Sequence, residues 1–234
     1  MATLLLRLAA PLQAWGSSSK FNIRMTEREP TKSGVIGMIA AALGIKRNEN
    51  SEELRKLAEL KFGIRVEREG KLIRDFHMVY TGDLSDSQRR HKVPKSYSSD
   101  MHITERYYLS DAVFLAVLES DDISFLDKIS EAVRKPVFPL FLGRRSCPPT
   151  LPVFIGISND NMMTVLKTTE SLTEKRKFQD SGEYLKRRII YDDSQGSVAH
   201  DVPVSFSQLH RQYGCRMKNE EIIMLCEHDP FEEL

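Results

Sequence analysis

Leu4-Leu5-Leu6-Arg7-Leu8-Ala9-Ala10 is the stretch that most limits what this chain can become. A run that is apolar at both odd and even positions has no solvent face. As a strand it must lie inside a sheet with both faces covered. It is too short to cross a membrane or to serve as the core of a secretion signal. Pro11 ends it, because proline has no N–H to give to a ladder. The spacing predicts a central strand over residues 3–10, in a protein of the cytoplasm.

Residues 11–30 read as a long polar loop carrying Gln13, Gly16 and the single Trp of the chain, Trp15. A loop of that length inside a compact domain is functional or disordered. It leads into Pro30-Thr31-Lys32-Ser33-Gly34-Val35, the start of a helix over residues 33–43 that Gly44 stops. A strand end followed by a helix start is a common seat for an anion, and Lys32 and Ser33 could neutralise and bond a phosphate there. Ser33 or Thr31 could equally be a plain N-cap. Trp15 offers a stacking face for an unpaired base, with Gln13 reading base edges or phosphate. Its other reading is a buried core or interface aromatic.

Downstream, the pattern predicts a helix over 51–60 and a hairpin of residues 62–67 and 72–80 turning at Glu69-Gly70. A polar insertion over 81–106 is too poor in apolar residues to build a core. A strand over 107–118 follows, then a helix capped by Asp121 or Asp122 and running to Val133. An extended stretch reaches Arg145, and a further strand covers 151–157. Strand, helix, hairpin, strand, helix, strand is close to the ferredoxin-like order of RNA-recognition folds. The expected class is α+β, with a ferredoxin-like (RRM-like) core over 1–157. A small β-rich C-terminal extension over 158–234 has strands at 187–191, 202–206 and 221–226.

A net charge of +1 over 234 residues neither favours nor excludes an acidic ligand, because charge is segregated. Arg89, Arg90, Lys92 and Lys95 form one basic run, and Lys175, Arg176, Lys177, Lys186, Arg187 and Arg188 another. The first sits beside His91, Tyr97 and His102, a mix of cation and aromatic suited to single-stranded RNA or to a solvated loop. The second reads as a solvated face. In Gly143-Arg144-Arg145 the glycine permits close backbone approach and the paired guanidinium forks suit phosphates; internal salt bridges are the other reading. Arg74 and His77, three apart on one strand, fall on opposite faces, with His77 read as a hydrogen-bonded support. Cys147, Cys215 and Cys226 lack CxxC spacing, which argues against a zinc ribbon or redox pair. No cofactor or metal is expected. RNA cleavage without metal needs His, Lys or Tyr grouped together, and His91-Lys92 with Tyr97 is the one local cluster of those types. Walker, HExxH and GxSxG motifs are absent.

Four segments, in order, carry a resemblance: LRLAAPLQAWG from Leu6, PTKSGVIGMIAAALGI from Pro30, RDFHMVYTG from Arg74 and FLGRRSCP from Phe141. Together they resemble the CasD family of the RAMP superfamily, the subunit of type I-E CRISPR Cascade that holds the 5′ handle of crRNA; residues beyond about 155 match loosely. The resemblance implies a non-catalytic RNA-binding subunit of an antiviral ribonucleoprotein complex. It caps the backbone filament, contacts the CasA and CasC subunits, and meets target DNA indirectly through the complex. A separate CasE subunit does the cutting. Insertion 81–106 becomes a β-hairpin thumb pressing on the guide RNA. RNA contacts are then expected from Gln13, Trp15, Gly16, Arg24, Lys32, Ser33, Arg74, His77, Arg89, Arg90, Lys92, Lys95, Arg106, Arg144 and Arg145. Two rivals remain: a metal-independent endoribonuclease processing pre-crRNA in the type I-C manner, and a pure scaffold.

Overall fold

The computed structural model describes residues 1–16, 22–46, 52–80, 101–173, 185–207 and 211–225. The basic run 89–95, Lys175 to Lys177, and Cys226 lie outside the described residues. The strands are β1 (Ala2–Ala9), β2 (Leu12–Gln13), β3 (Ile23–Arg24), β4 (Lys61–Arg68), β5 (Lys71–Tyr80), β6 (Met101–Ser110), β7 (Val113–Ser120), β8 (Phe154–Ser158), β9 (Leu185–Ser205) and β10 (Gln212–Leu225). The helices are α1 (Lys32–Leu43), α2 (Glu52–Glu59), α3 (Ile123–Arg134) and α4 (Met162–Thr168). The fold is α+β, built on a mostly antiparallel sheet. Among the described residues no helix is long and apolar enough to cross a membrane.

The main sheet has the order β10-β9-β4-β7-β1-β8, and its pairings are antiparallel. As the apolar run requires, β1 is central, with Leu4 opposite Leu118 and Leu6 opposite Ala116 on β7. Leu4, Leu6 and Leu8 join Phe62, Ile64 and Phe114 in a core closed by Ile36 and Ile39 of α1, Leu57 of α2 and Leu126 and Ile129 of α3. Leu5 faces the other way, with Leu115, Val117 and Ile189, under Met162, Val165 and Leu166 of α4. Each such leucine contributes about 1.5–3 kcal/mol when fully buried. Helix α4 was not anticipated. The fully buried Arg65 anchors it, donating to the carbonyls of Leu166 (2.8 Å), Thr169 (2.7 Å) and Glu170 (2.9 Å). These groups are left without partners at a helix C-terminus.

Four expectations are corrected. The 62–67 and 72–80 strands do not form a hairpin. β4 pairs with β7 and β9, while β5 pairs with β6 from Lys71 opposite Ser110 to Tyr80 opposite Met101. Periodicity two identifies a strand but not its partner, and β4 is buried from Phe62 to Glu67, so it demands neighbours on both sides. The strand read over 107–118 is two strands in two sheets, broken at Asp111, whose φ is 56°. Residues 101–106, read as insertion, belong to β6. The 187–191 and 202–206 segments are stretches of one long strand, β9, which joins β4 through Gly63 opposite Tyr191 and Val66 opposite Arg188. β5 and β6, with β2 antiparallel and β3 parallel to β6, make a second sheet.

The loop after α3 closes on the N-terminal segment. Ala14 N–H donates to the Leu142 carbonyl at 3.1 Å. Gly143 takes φ 88°, and a Cβ there would stand 1.7 Å from the Ala14 carbonyl oxygen. The close approach that Gly143 permits is therefore to the protein's own backbone. Gly143→Ala is expected to cost about 2–3 kcal/mol and to lower the thermal midpoint by several degrees. Gly156→Ala, where nothing lies within 4 Å of the added atom, should change it little; equal midpoints for the two variants would contradict this packing.

Candidate nucleic-acid interface

Gln13 and Trp15 turn inward. The Gln13 side chain is fully buried, its amide donating to the carbonyls of Ala112 (2.8 Å) and Leu8 (3.3 Å). Its oxygen accepts the Trp15 indole N–H at 3.0 Å. Trp15 is 1% exposed, and a Cβ on Gly34 would lie 2.8 Å from its ring. The ring has no face for a base, and the amide is buried and bonded on both its nitrogen and its oxygen. The core reading of Trp15 replaces stacking, because the loop is pinned back by Trp15 N–H to Thr26 Oγ1 (2.8 Å) and Glu27 N–H to the Trp15 carbonyl (2.7 Å).

The start of α1 is also closed. Thr31 is the N-cap, its hydroxyl accepting the Gly34 N–H at 3.2 Å, and Ser33 is buried beside it. The Lys32 N–H donates to Asp201 Oδ2 at 2.8 Å, so an internal carboxylate occupies the place read as a phosphate seat. The buried Lys32 ammonium reaches Asp192 at 3.2 Å. Arg216 joins the two acids, bonding Asp201 at 2.7 and 3.0 Å and Asp192 at 2.6 Å. Asp192 also accepts the Phe62 N–H of β4 at 3.0 Å. A β-bulge aims Asp201: Gly214 faces Val202 and Arg216 faces Ala199, so His200 and Asp201 together oppose Cys215. Burial pushes the Asp201 carboxyl pKa up, but the Arg216 hydrogen bond and charge and the Lys32 N–H outweigh it, holding the group below the ordinary range.

The other basic residues divide. Arg187 and Arg188 are not a solvated face: Arg187 meets Glu67 at 3.4 Å, and Arg188 meets Glu69 at 3.1 Å and Glu29 at 3.4 Å. Arg144 donates to the Tyr107 (3.1 Å) and Arg24 (2.8 Å) carbonyls and lies 4.6 Å over the Tyr108 ring, tying β3 to β6. Arg145 and Gly16 are exposed.

The β5–β6 ribbon has two faces, set by register. Arg74, Phe76 and Met78 share one with Tyr107, Glu105 and Ile103; Phe76 and Met78 are exposed, and Arg74 lies 3.8 Å from Glu105. Asp75 and His77 share the other with Arg106 and Thr104, and Arg24 pairs with Arg106 from β3. Arg74 and His77 thus fall on opposite faces, as their spacing requires. Asp192, Asp201 and Arg216 carried no local signal, since they meet Lys32 only through the fold.

Asp201→Ala leaves Arg216 and a helix N-terminus underpaired in the interior and is expected to destabilise by about 3 kcal/mol. The folded-state pKa of Asp201 lies below its unfolded value. Its contribution is complete above the ordinary Asp value of about 3.9 and is lost as pH falls through that value toward the folded one. Urea midpoints should fall through the acid range, and fall less in Asp201→Asn; parallel profiles would contradict the latch.

The family model for CRISPR-associated protein (Cas_Cas5) matches residues 3–217. The CRISPR system Cascade subunit CasD of Escherichia coli (strain K12) is 38% identical over 160 residues, covering 65% of this chain and 70% of that protein. A chain from a CRISPR RNA-guided surveillance complex is 31% identical with a TM-score of 0.76, covering 95% of this chain and 90% of that one. The chain in a crystal structure of a Cas protein is 31% identical with a TM-score of 0.71, covering 97% of this chain and all (100%) of that one. The family match runs from β1 into β10 and so takes in both sheets and the latch. This chain belongs to the CRISPR-associated Cas5 family.

Proposed function

We propose that this chain is a non-catalytic RNA-binding subunit of a type I-E Cascade complex that holds the 5′ handle of crRNA and caps the backbone filament. In that role it contacts the CasA and CasC subunits and reaches target DNA through the complex. The observation that carries the reading is the cationic base of the β5–β6 ribbon, where Arg24, Arg106 and Arg144 are brought together from three segments. Exposed Arg145 follows on the chain. The identity to a Cascade subunit supports the assembly. The order β8-β1-β7-β4, with α1 and α3 against one face, supports a ferredoxin-like core as the RNA-binding part, within residues 1–157. Residues 158–234 are its β-rich extension, added to the edge of the same sheet. The ribbon is the stem of the thumb, whose Arg89, Arg90, Lys92 and Lys95 lie outside the described residues. RNA contacts fall to Gly16, Arg24, Arg74, His77, Arg106 and Arg145, with Arg144 bracing them.

The endoribonuclease reading has one observation in its favour. His77 opposes Thr104 and His102 opposes Val79, so the two imidazoles are diagonal neighbours on one face. Labelled repeat RNA incubated with the purified chain without metal separates the readings. Binding without cleavage is expected, and Arg24→Glu with Arg145→Glu should weaken it and flatten the salt dependence by about 0.7 in log–log slope per lost phosphate contact. Cleavage by the wild type, or affinity untouched by the double substitution, would contradict the proposal.

A further inference from the structure

The main sheet ends on β8, which among the described residues pairs with β1 and with no other strand. Its outer edge therefore offers a row of backbone N–H and C=O groups. Natural edges carry lysine, proline or inward-pointing charge to turn a further strand away. β8 reads Phe-Ile-Gly-Ile-Ser, with neither charge nor proline, and all five residues are half-buried. A bulge at Ile155 is its one interruption. Beside it α3 leaves an open groove of about 490 Å³, lined by Phe154, Ile155 and Gly156 of the strand and by Asp127, Glu131 and Arg134 of the helix. A Cβ on Gly156 would meet nothing within 4 Å. An open sheet edge is where an extended peptide adds as a further strand, its backbone supplying affinity and its alternate side chains entering neighbouring pockets.

Charge selects what is added. Asp127, Glu131 and Arg134 stand at i, i+4 and i+7 of α3, along one side of the helix. All three are exposed, and none has an ion pair among the described residues. Arg134 lies 4.0 Å from the centroid of the Phe154 ring, a stacking that holds its fork at the groove with N–H groups to spare for a carboxylate. The wall is thus acidic along its length and cationic at its end. The acids and the guanidinium are about 7 Å apart at 1.5 Å per residue, the separation of two side chains on one face of a strand. We infer that this groove receives an extended, largely apolar segment of a neighbouring protein subunit, which pairs with β8 as a seventh strand and presents a basic and an acidic side chain, two residues apart, to α3. RNA does not fit there, because a uniform polyanion would set its phosphates against Asp127 and Glu131. The inference rests on the reading of the chain as a Cascade subunit and adds to it a surface and a mode of protein contact.

The test follows amide hydrogen exchange of residues 154–158 by mass spectrometry in three samples: the full chain alone, the full chain with repeat RNA, and the chain assembled with the other Cascade subunits and crRNA. Exchange is expected to slow about tenfold in the assembled complex and to be the same in the other two. Glu131→Lys with Arg134→Glu sets like charges against the incoming segment. It should return exchange to the free-chain rate and speed loss of the neighbouring subunit about tenfold, read by native mass spectrometry after dilution. Asp127→Lys, a single change at an exposed position, should speed that loss about threefold, which keeps the test intact if the double variant fails to fold. Equal exchange in the free chain and the complex, or protection unmoved by both variants, overturns the docking groove while leaving the Cascade reading standing. Protection by repeat RNA alone, or protection in the free chain that grows with its concentration, overturns it in favour of nucleic acid or a second copy. Failure of the wild type to join the complex overturns the reading beneath it.

Discussion

The first turn of α1 presents unpaired backbone N–H groups and the positive end of a helix dipole, and Asp201 fills that place from a strand about 170 residues away in sequence. The same carboxylate binds Arg216, which binds Asp192, which binds Lys32 and the backbone of β4. One buried network therefore fastens α1, the interior strand β4 and the β9–β10 pair. Removing either acid strands cations in the interior, whereas the intact set offsets the desolvation of each member. With β9 in register with β4, and β10 with β9, Asp192, Asp201 and Arg216 reach the start of α1.

That commitment leaves the start of α1 closed to a phosphate. A strand end and a helix start, rich in Thr, Lys, Ser and Gly, have the composition of a phosphate seat. Here they hold Trp15 and Asp201 instead. The second sheet gathers cations of its own, with Arg24 and Arg106 paired across β3 and β6 and Arg144 tying the carbonyls of both strands. In the core, Lys32, Asp192, Asp201 and Arg216 satisfy one another. The ribbon keeps exposed apolar side chains, which suit a partner.

What the sequence made legible follows from which forces are local. The apolar run of β1 required two covered faces, Gly44 stopped α1, and the caps were narrowed to Thr31 or Ser33 for α1 and Asp121 or Asp122 for α3, of which the fold takes Thr31 and Asp122. Strand pairing was not legible. β4 and β5 share a period and a turn signal, but β4 is buried on both faces and takes β7 and β9 as partners. Asp111 looked like part of one strand, yet its left-handed backbone divides two sheets. Lys32 is a phosphate ligand or a latch according to whether a carboxylate arrives from elsewhere. Only the fold brings Asp192 and Asp201 to it.

Photo-crosslinking of bound repeat RNA, mapped to peptides by mass spectrometry, tests most directly whether the internal carboxylate has displaced the nucleic-acid surface to the ribbon. Crosslinks are expected on peptides from β3, β5 and β6 and at Arg145, and none at Trp15 or Lys32. Crosslinks concentrated at Trp15 and the Pro30–Ser33 segment, with the β5–β6 ribbon unmarked, would contradict it.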